Sequence, residues 1–259
     1  MTWAGKRQLI ILGIILGIIV ILGLIIIVPR LQKESTCFDG KQNGDELGVD
    51  CGGSCPRFCP FELNDTVLHW SRAFPVASNL YNIVAYIENQ NIDAAVQNIS
   101  YQFKLYDENN IFIAERKGRT FINPNKKSAI FETTVDVGNR VPKRVTFSFL
   151  EDPKWVRVDR RIMNTLEVLV QEKSLTGERS KPKLAVTLFN NSLYDIFDLD
   201  VVVLLYNEEG NVTAVSKTYI EKLDRNSSQK SIFTWPYSLT DRVVNIEVIP
   251  RVNIFSIKF

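Results

Sequence analysis

The chain has 259 residues, 45% hydrophobic and 23% charged, a globular composition with length for one large or two ordinary domains. Its 31 basic and 29 acidic residues leave a formal charge of +2, without the basic surplus that neutralises phosphates, so no nucleic-acid partner is expected. A single histidine, His69, excludes multi-histidine metal centres and leaves any histidine-based catalytic scheme resting on one side chain.

In chain order, a stub of residues 1–8 precedes residues 9–28, which are only Leu, Ile, Val and Gly. Twenty such residues at 1.5 Å rise match a bilayer core of about 30 Å, so the segment predicts a transmembrane helix. It runs into Pro29-Arg30-Leu31 without a small-x-small cleavage site, which favours an uncleaved anchor over a signal peptide. Cys37 lies too far beyond it for a lipoprotein anchor. Lys6 and Arg7 on one flank balance Arg30 and Lys33 on the other, so basic flanks do not orient the helix. The cysteines do: Cys37, Cys51, Cys55 and Cys59 crowd the segment after it and predict an oxidising, extracytoplasmic side. The expected location is therefore the cell membrane, single-pass, with the N-terminus cytoplasmic. Gly13 and Gly17 have a GxxxG spacing that would permit weak homo-association of helices.

Residues 29–60 read as a Cys-rich acidic stalk with too little apolar content for a core, so covalent or metal staples are needed. The cysteine spacings do not form paired C-x-x-C knuckles, and two disulfides are expected rather than zinc, with three pairings open. Asp39, Asn43, Asp45, Glu46 and Asp50 are hard oxygen donors that a tight loop could gather around calcium. Lys41 at the third position and the absence of flanking helical pattern rule out an EF-hand, and the competing reading makes these residues turn formers. The segment from Cys37 to Cys59 resembles the C-x-D-G-x-x-N-G-x-E-x-G-x-D-C-G-G-x-C-x-x-x-C repeats of secreted and cell-surface proteins. That resemblance implies an extracellular disulfide module, with calcium as a candidate cofactor and no catalytic activity.

Beyond Pro60 the chain becomes short alternating runs broken by Asn, Asp, Gly and Pro, the pattern of all-β sandwiches. Ile99, Tyr101, Phe103 and Leu105 alternate with polar neighbours, as do Val145, Phe147 and Phe149, each predicting a strand with one face in the core. Leu105-Tyr106-Asp107-Glu108 returns as Leu205-Tyr206-Asn207-Glu208, Thr120-Phe121-Ile122 as Thr218-Tyr219-Ile220, Glu88-Asn89 as Phe189-Asn190, and Phe131 as Phe233. The ectodomain thus reads as an internal duplication, residues 61–153 and 154–259, divided where Glu151-Asp152-Pro153 interrupts the strand pattern. Residues 161–173 fit either period, and their position favours a strand.

Phe103, Leu105, Tyr106 and Asp107 form the literal motif FxLYD, set between Asn-rich turns. It resembles the FxLYD family, similar to the late-embryogenesis-abundant, water-stress type of sandwich. The resemblance implies tandem immunoglobulin-like or fibronectin-like β-sandwiches that bind or support, without an active site to carry over. Copy two departs from the motif, with Val203 and Asn207 in place of the Phe and Asp.

His69 is expected to be exposed and non-catalytic, since no GxSxG elbow supplies a nucleophile, and no glycine-rich phosphate loop is present. Arg140, Lys143, Arg144, Lys154, Arg157, Arg160 and Arg161 with Trp155 could hold anionic headgroups or an acidic polymer, though interspersed acids favour a solvated face. Phe233, Trp235, Pro236 and Tyr237 are candidates for a contact surface or for packing. Five sequons, at Asn64, Asn98, Asn190, Asn211 and Asn226, would matter in a glycosylating host. Together these features predict a non-enzymatic, membrane-anchored binding or envelope-structural protein whose partner is a protein or envelope polymer. The alternative is an accessory subunit of a membrane complex.

Overall fold

The computed structural model describes residues 3–31, 37–159, 163 and 165–256; within residues 3–31 it describes the side chains of residue 5 and residues 12–25. The chain divides into two compact units, Met1–Cys59 and Pro60–Phe259, which are considered separately.

In the first unit, α1 spans Trp3–Leu31. Its described apolar side chains are exposed all round, Leu12 at 67% and Ile25 at 62% among them, so nothing among the described residues covers them. Among the described residues no helix is long and apolar enough to cross a membrane. The side chains at both ends of the expected span, residues 9–11 and 26–28, lie outside the described residues, as do those of Lys6, Arg7 and Arg30.

The second unit is all-β, in four antiparallel sheets. β1 (Val67–Ala77), β2 (Leu80–Asn89) and β5 (Lys126–Asp136) form one sheet in the order β1-β2-β5. A second sheet has the order β4-β3-β6, from β4 (Phe112–Ile122), β3 (Ala94–Tyr106) and β6 (Arg144–Phe149), with β7 (Trp155–Arg157) also on β3. After β8 (Val168–Thr176), β9 (Lys183–Asn190), β10 (Ile196–Tyr206), β11 (Val212–Leu223), β12 (Ser228–Thr234) and β13 (Asn245–Arg251), the same orders return as β12-β9-β8 and β11-β10-β13. The duplication is therefore one of topology, with β1 to β6 answered by β8 to β13.

Each sheet pair closes on its own core. Ile83, Ala85 and Ile87 of β2 pack with Tyr101, Phe103 and Leu105 of β3, and Leu184, Val186 and Leu188 of β9 with Val201, Val203 and Leu205 of β10. Gly118 in β4 is required by this packing, because a Cβ there would lie 2.4 Å from the hydroxyl of Tyr101. The repeated turns match bond for bond: Asp107 N–H donates to the carbonyl of Ile111, and Asn207 N–H to that of Asn211, each at 3.0 Å. Asn89 and Asn190 are both buried, with amide groups tying turn carbonyls together.

A third cluster joins the copies. Phe74, Val84, Tyr86, Ala129 and Phe131 from β1, β2 and β5 pack against Val202, Leu204, Val212, Val215 and Ile249 from β10, β11 and β13. At one side of this seam Tyr86 and Tyr206 both donate to the carboxylate of Glu247, at 2.7 and 2.5 Å. Burial pushes both phenols up, helped by that carboxylate. At the other side the buried Arg251 donates to Ser128 Oγ at 3.1 Å and Thr120 Oγ1 at 2.6 Å, with its guanidinium 5.0 Å from the ring centroid of Phe121. Burial lowers the Arg251 pKa, and Asp200 at 4.0 Å opposes that.

Four expectations need correction. Trp155, assigned to the second copy, belongs to β7, which pairs with Ala94–Val96 of the first; the Glu151-Asp152-Pro153 break only bends the chain so that it re-enters the same sheet. The strand expected over residues 161–173 begins at Val168, while residues 160–162 and 164 lie outside the described residues. Ile99 faces Thr120 and Leu199 faces Ile220, so Thr120 matches Ile220 rather than Thr218; a two-residue slip leaves the buried face unchanged. Phe131 lies in the seam and Phe233 in the core of copy two, on opposite sheet faces, so they are not equivalent.

Arg251→Ala should remove the charged hydrogen bonds across the seam and lower the unfolding free energy by about 2–3 kcal/mol. It should also split one calorimetric transition into two as the copies uncouple. An unchanged urea midpoint with one transition would show that the seam does not depend on this side chain.

Candidate functional site

The stalk residues are held by two interleaved disulfides, Cys37–Cys55 and Cys51–Cys59. Sequence separations of 18 and 8 residues correspond to about 3 and about 2.5 kcal/mol of unfolded-chain entropy, each taken alone in the loop-closure model. The crossing depends on Gly53, which has φ +59° and where a Cβ would lie 2.1 Å from the Asp45 carbonyl oxygen.

From Asp39 to Asp50 each acidic side chain of the stalk serves a local turn. Asp50 accepts the N–H groups of Asp39 and Gly40 at 3.0 Å. Asp39 accepts Lys41 N–H at 3.0 Å and the Asn43 amide at 2.9 Å, Glu46 accepts Asn43 N–H at 3.1 Å, and Asp45 accepts Ser54 N–H and Oγ–H at 2.9 and 2.7 Å. Among the described residues the one close group of three Cys, His, Asp or Glu ligand atoms is Cys37, Glu46 and Cys55. Its sulfurs are consumed by a disulfide; Cys55 Sγ, 3.4 Å from Glu46 Oε1, carries no proton to donate. These bonds are those of turn formers, while Asn43 Oδ1 is buried with no hydrogen-bond partner among the described residues.

The FxLYD side chains are also placed by folding. Phe103 and Leu105 are fully buried in the first core. Tyr106 lies beneath the Arg144 guanidinium at 4.1 Å, and Asp107 caps the following turn by accepting Asn109 and Ile111 N–H groups at 2.9 Å. His69 is exposed and bonds Glu88 at 2.7 Å. A β-bulge between Leu68 and Trp70 brings both His69 and Trp70 beside Tyr86, where strict alternation placed them on opposite faces. The basic residues do not form one patch. Arg144 pairs with Tyr106 at one end of β3 and Arg157 with Ala94 at the other, about 40 Å away at 3.3 Å per residue. Arg140 is 3.5 Å from Asp107 and Arg157 3.8 Å from Glu62, while Arg160 and Arg161 lie outside the described residues. Asn190, fully buried and donating to three carbonyls, is closed to modification in the folded chain.

The two copies jointly enclose a cleft of about 230 Å³. Phe74, Pro75 and Val76 of β1 and Asn82 of β2 form one wall, Thr213 to Ser216 of β11 another, and residues 234–240 the third. Trp235 is half-buried against the second core, with its indole N–H bonded to the Val215 carbonyl at 2.9 Å, so its ring rather than its donor remains for contact. Tyr237 is 56% exposed. The aromatic cluster found in the sequence thus divides into core (Phe233) and cleft wall (Trp235, Pro236, Tyr237). The facing residues were missed because they come from other strands, Thr213 to Ser216 from the neighbouring β11 and Phe74 to Val76 with Asn82 from the other copy, more than a hundred residues earlier in the chain.

The Asp45 carboxyl is held below its ordinary value, first by the Ser54 hydroxyl. The stabilisation it gives the stalk should be complete above the unfolded value of about 3.9 and should vanish as pH falls through the lower folded value. An NMR titration of the Ser54 amide should show a midpoint below the ordinary carboxylate range that disappears in Asp45→Asn; a midpoint at or above that range would remove the cap from the account.

No known protein family's profile matches the chain, and no curated protein matches it. Among solved structures the chain is similar to the crystal structure of red sea bream transglutaminase, at 10% identity and a TM-score of 0.26, over 74% of this chain and 30% of that one. So slight a likeness transfers neither fold nor activity.

Proposed function

We propose that the protein is a single-pass, membrane-anchored surface protein, with residues 1–8 cytoplasmic and a disulfide stalk followed by two immunoglobulin-like or fibronectin-like sandwiches of FxLYD type outside. Its role in this reading is non-enzymatic: binding, or support of the cell envelope, through a protein or envelope-polymer partner. The observation that carries the binding role is the seam, which fuses the copies into one body with a cleft walled by both. A ligand pocket between rigid elements is the usual form of a binding site. The anchor is supported by the Leu, Ile, Val and Gly run of residues 9–28, whose described side chains have no cover among the described residues. The extracytoplasmic location is supported by the two disulfides. The absence of enzymatic activity is proposed because His69 has a carboxylate partner but no nucleophile beside it among its described contacts. An accessory-subunit role remains the second reading, favoured by Gly13 and Gly17, where an added Cβ would meet nothing within the chain.

Protease added to intact cells should remove the sandwiches and leave a membrane-retained N-terminal fragment. Complete protection in intact cells, with digestion only after detergent, would reverse the orientation; release of the whole chain by alkaline wash would remove the anchor.

A further inference from the structure

We propose that the cleft between the two copies binds a single neutral pyranose ring, as found at the end or along the backbone of an uncharged polysaccharide. This deepens the binding role proposed above and rests on it.

The first ground is charge. In a chain that is 23% charged, none of the fifteen lining residues is Asp, Glu, Lys, Arg or His. The other two described cavities differ: one is lined by Glu178, Arg179, Asp241 and Arg242, the other by Asp107, Glu108, Arg140 and Lys143. An anionic sugar, a phosphate or a charged peptide terminus would find no counter-charge in the uncharged cleft.

The second ground is the mixture of surfaces. Trp235, Tyr237, Phe74, Pro75 and Pro236 supply flat apolar walls, which suit the C–H face of a sugar ring. Between them stand Ser216, Thr234, Ser238 and Thr240, whose hydroxyls have no hydrogen-bond partner among the described residues. Asn82 uses its carbonyl oxygen for Thr134 N–H at 3.2 Å, leaving its amide N–H₂ to donate. Hydroxyls that both donate and accept match the vicinal hydroxyls of a polyol, whereas a wholly apolar ligand would leave them unpaired at a cost.

The third ground is size. A volume of about 230 Å³ is below the roughly 300–1,000 Å³ of pockets for drug-sized ligands and suits one six-membered ring with substituents. A polyproline segment would use the same aromatic walls but has no donors for the hydroxyls to accept from, and it needs a longer track. It is therefore the outcome to exclude.

The test is saturation-transfer NMR on the full chain in phospholipid nanodiscs, prepared without sugar-headed detergent. The probes are methyl β-D-glucopyranoside, methyl α-D-mannopyranoside and N-acetylglucosamine, with sodium glucuronate and an acetylated tetraproline amide as comparators. Transfer to the ring C–H protons of at least one neutral pyranoside is expected, with none to glucuronate. Tyr237→Ala, on an exposed loop residue, should weaken it roughly five- to tenfold, and Thr240→Trp, which fills the cleft from its rim, should abolish it. Both variants should retain the parent's thermal unfolding midpoint; if one does not, Ser238→Trp in the same loop replaces it. Transfer to the tetraproline amide alone, lost on filling the cleft, would overturn the sugar while keeping the cleft as a binding site. Absence of transfer from every probe, or transfer that filling the cleft leaves intact, would overturn both.

Discussion

The relative placement of the two sandwiches depends on burying one guanidinium. Arg251 ends the last strand of copy two, yet the two hydrogen bonds it donates go to Ser128 and Thr120 of copy one and its flat face lies near Phe121. A buried charge without such partners would be costly, so the copies cannot rotate about the seam without stranding it. The Tyr86–Glu247–Tyr206 bridge on the other side adds a second fixed point, again with partners from both copies. Apolar packing across the seam supplies the larger free energy but is tolerant of small slides; the polar bonds fix the register.

The seam is not two-fold symmetric, and that has a structural consequence. Copy one contributes its β1-β2-β5 sheet, whereas copy two contributes β11-β10-β13, the counterpart of the first copy's other sheet. Such a head-to-tail contact could in principle propagate from repeat to repeat. Both outer sheets carry polar rows across their strands: Lys117, Gln102 and Ser148 in copy one, and Glu172, Thr187 and Lys230 in copy two. These faces act as caps, as the terminal repeats of stacked arrays do. A duplicated sequence thus makes a closed pair because equivalent strands diverged in the chemistry of one face.

That divergence was partly legible in the sequence. The alternation of Ile99, Tyr101, Phe103 and Leu105 placed one face of β3 in the core, and all four are buried. The pairing of Asn89 with Asn190 found two turn-forming amides with the same bonding. The seam also had a signal: Ile83-Val84-Ala85-Tyr86-Ile87 and residues 201–205 are unbroken apolar runs, the mark of strands covered on both faces. Other features had no local signal. Disulfide pairing depended on a glycine crossing that spacing does not encode, and the break at Pro153 looks the same whether the chain leaves its sheet or re-enters it. The five acidic and amide residues of the stalk have the composition of a calcium loop, and composition does not show that groups of the same loop bond to Asp39, Asp45, Glu46 and Asp50 while Asn43 Oδ1 stays without a partner among the described residues.

The cleft follows from the same constraint as the seam. Its walls come from β1 and β2 of one copy and from β11 and residues 234–240 of the other, so neither copy alone can form it. Its shape is as fixed as the angle between the copies, which Arg251 and Glu247 hold. The Trp235 indole N–H, bound to the Val215 carbonyl, fastens the third wall to the strand that also packs into the seam. The polar bonds at the seam therefore serve two purposes, holding two domains in one arrangement and pre-organising a neutral, hydroxyl-lined recess between them. A shift of the copies by one ångström would cost the first little and the second much of its geometry.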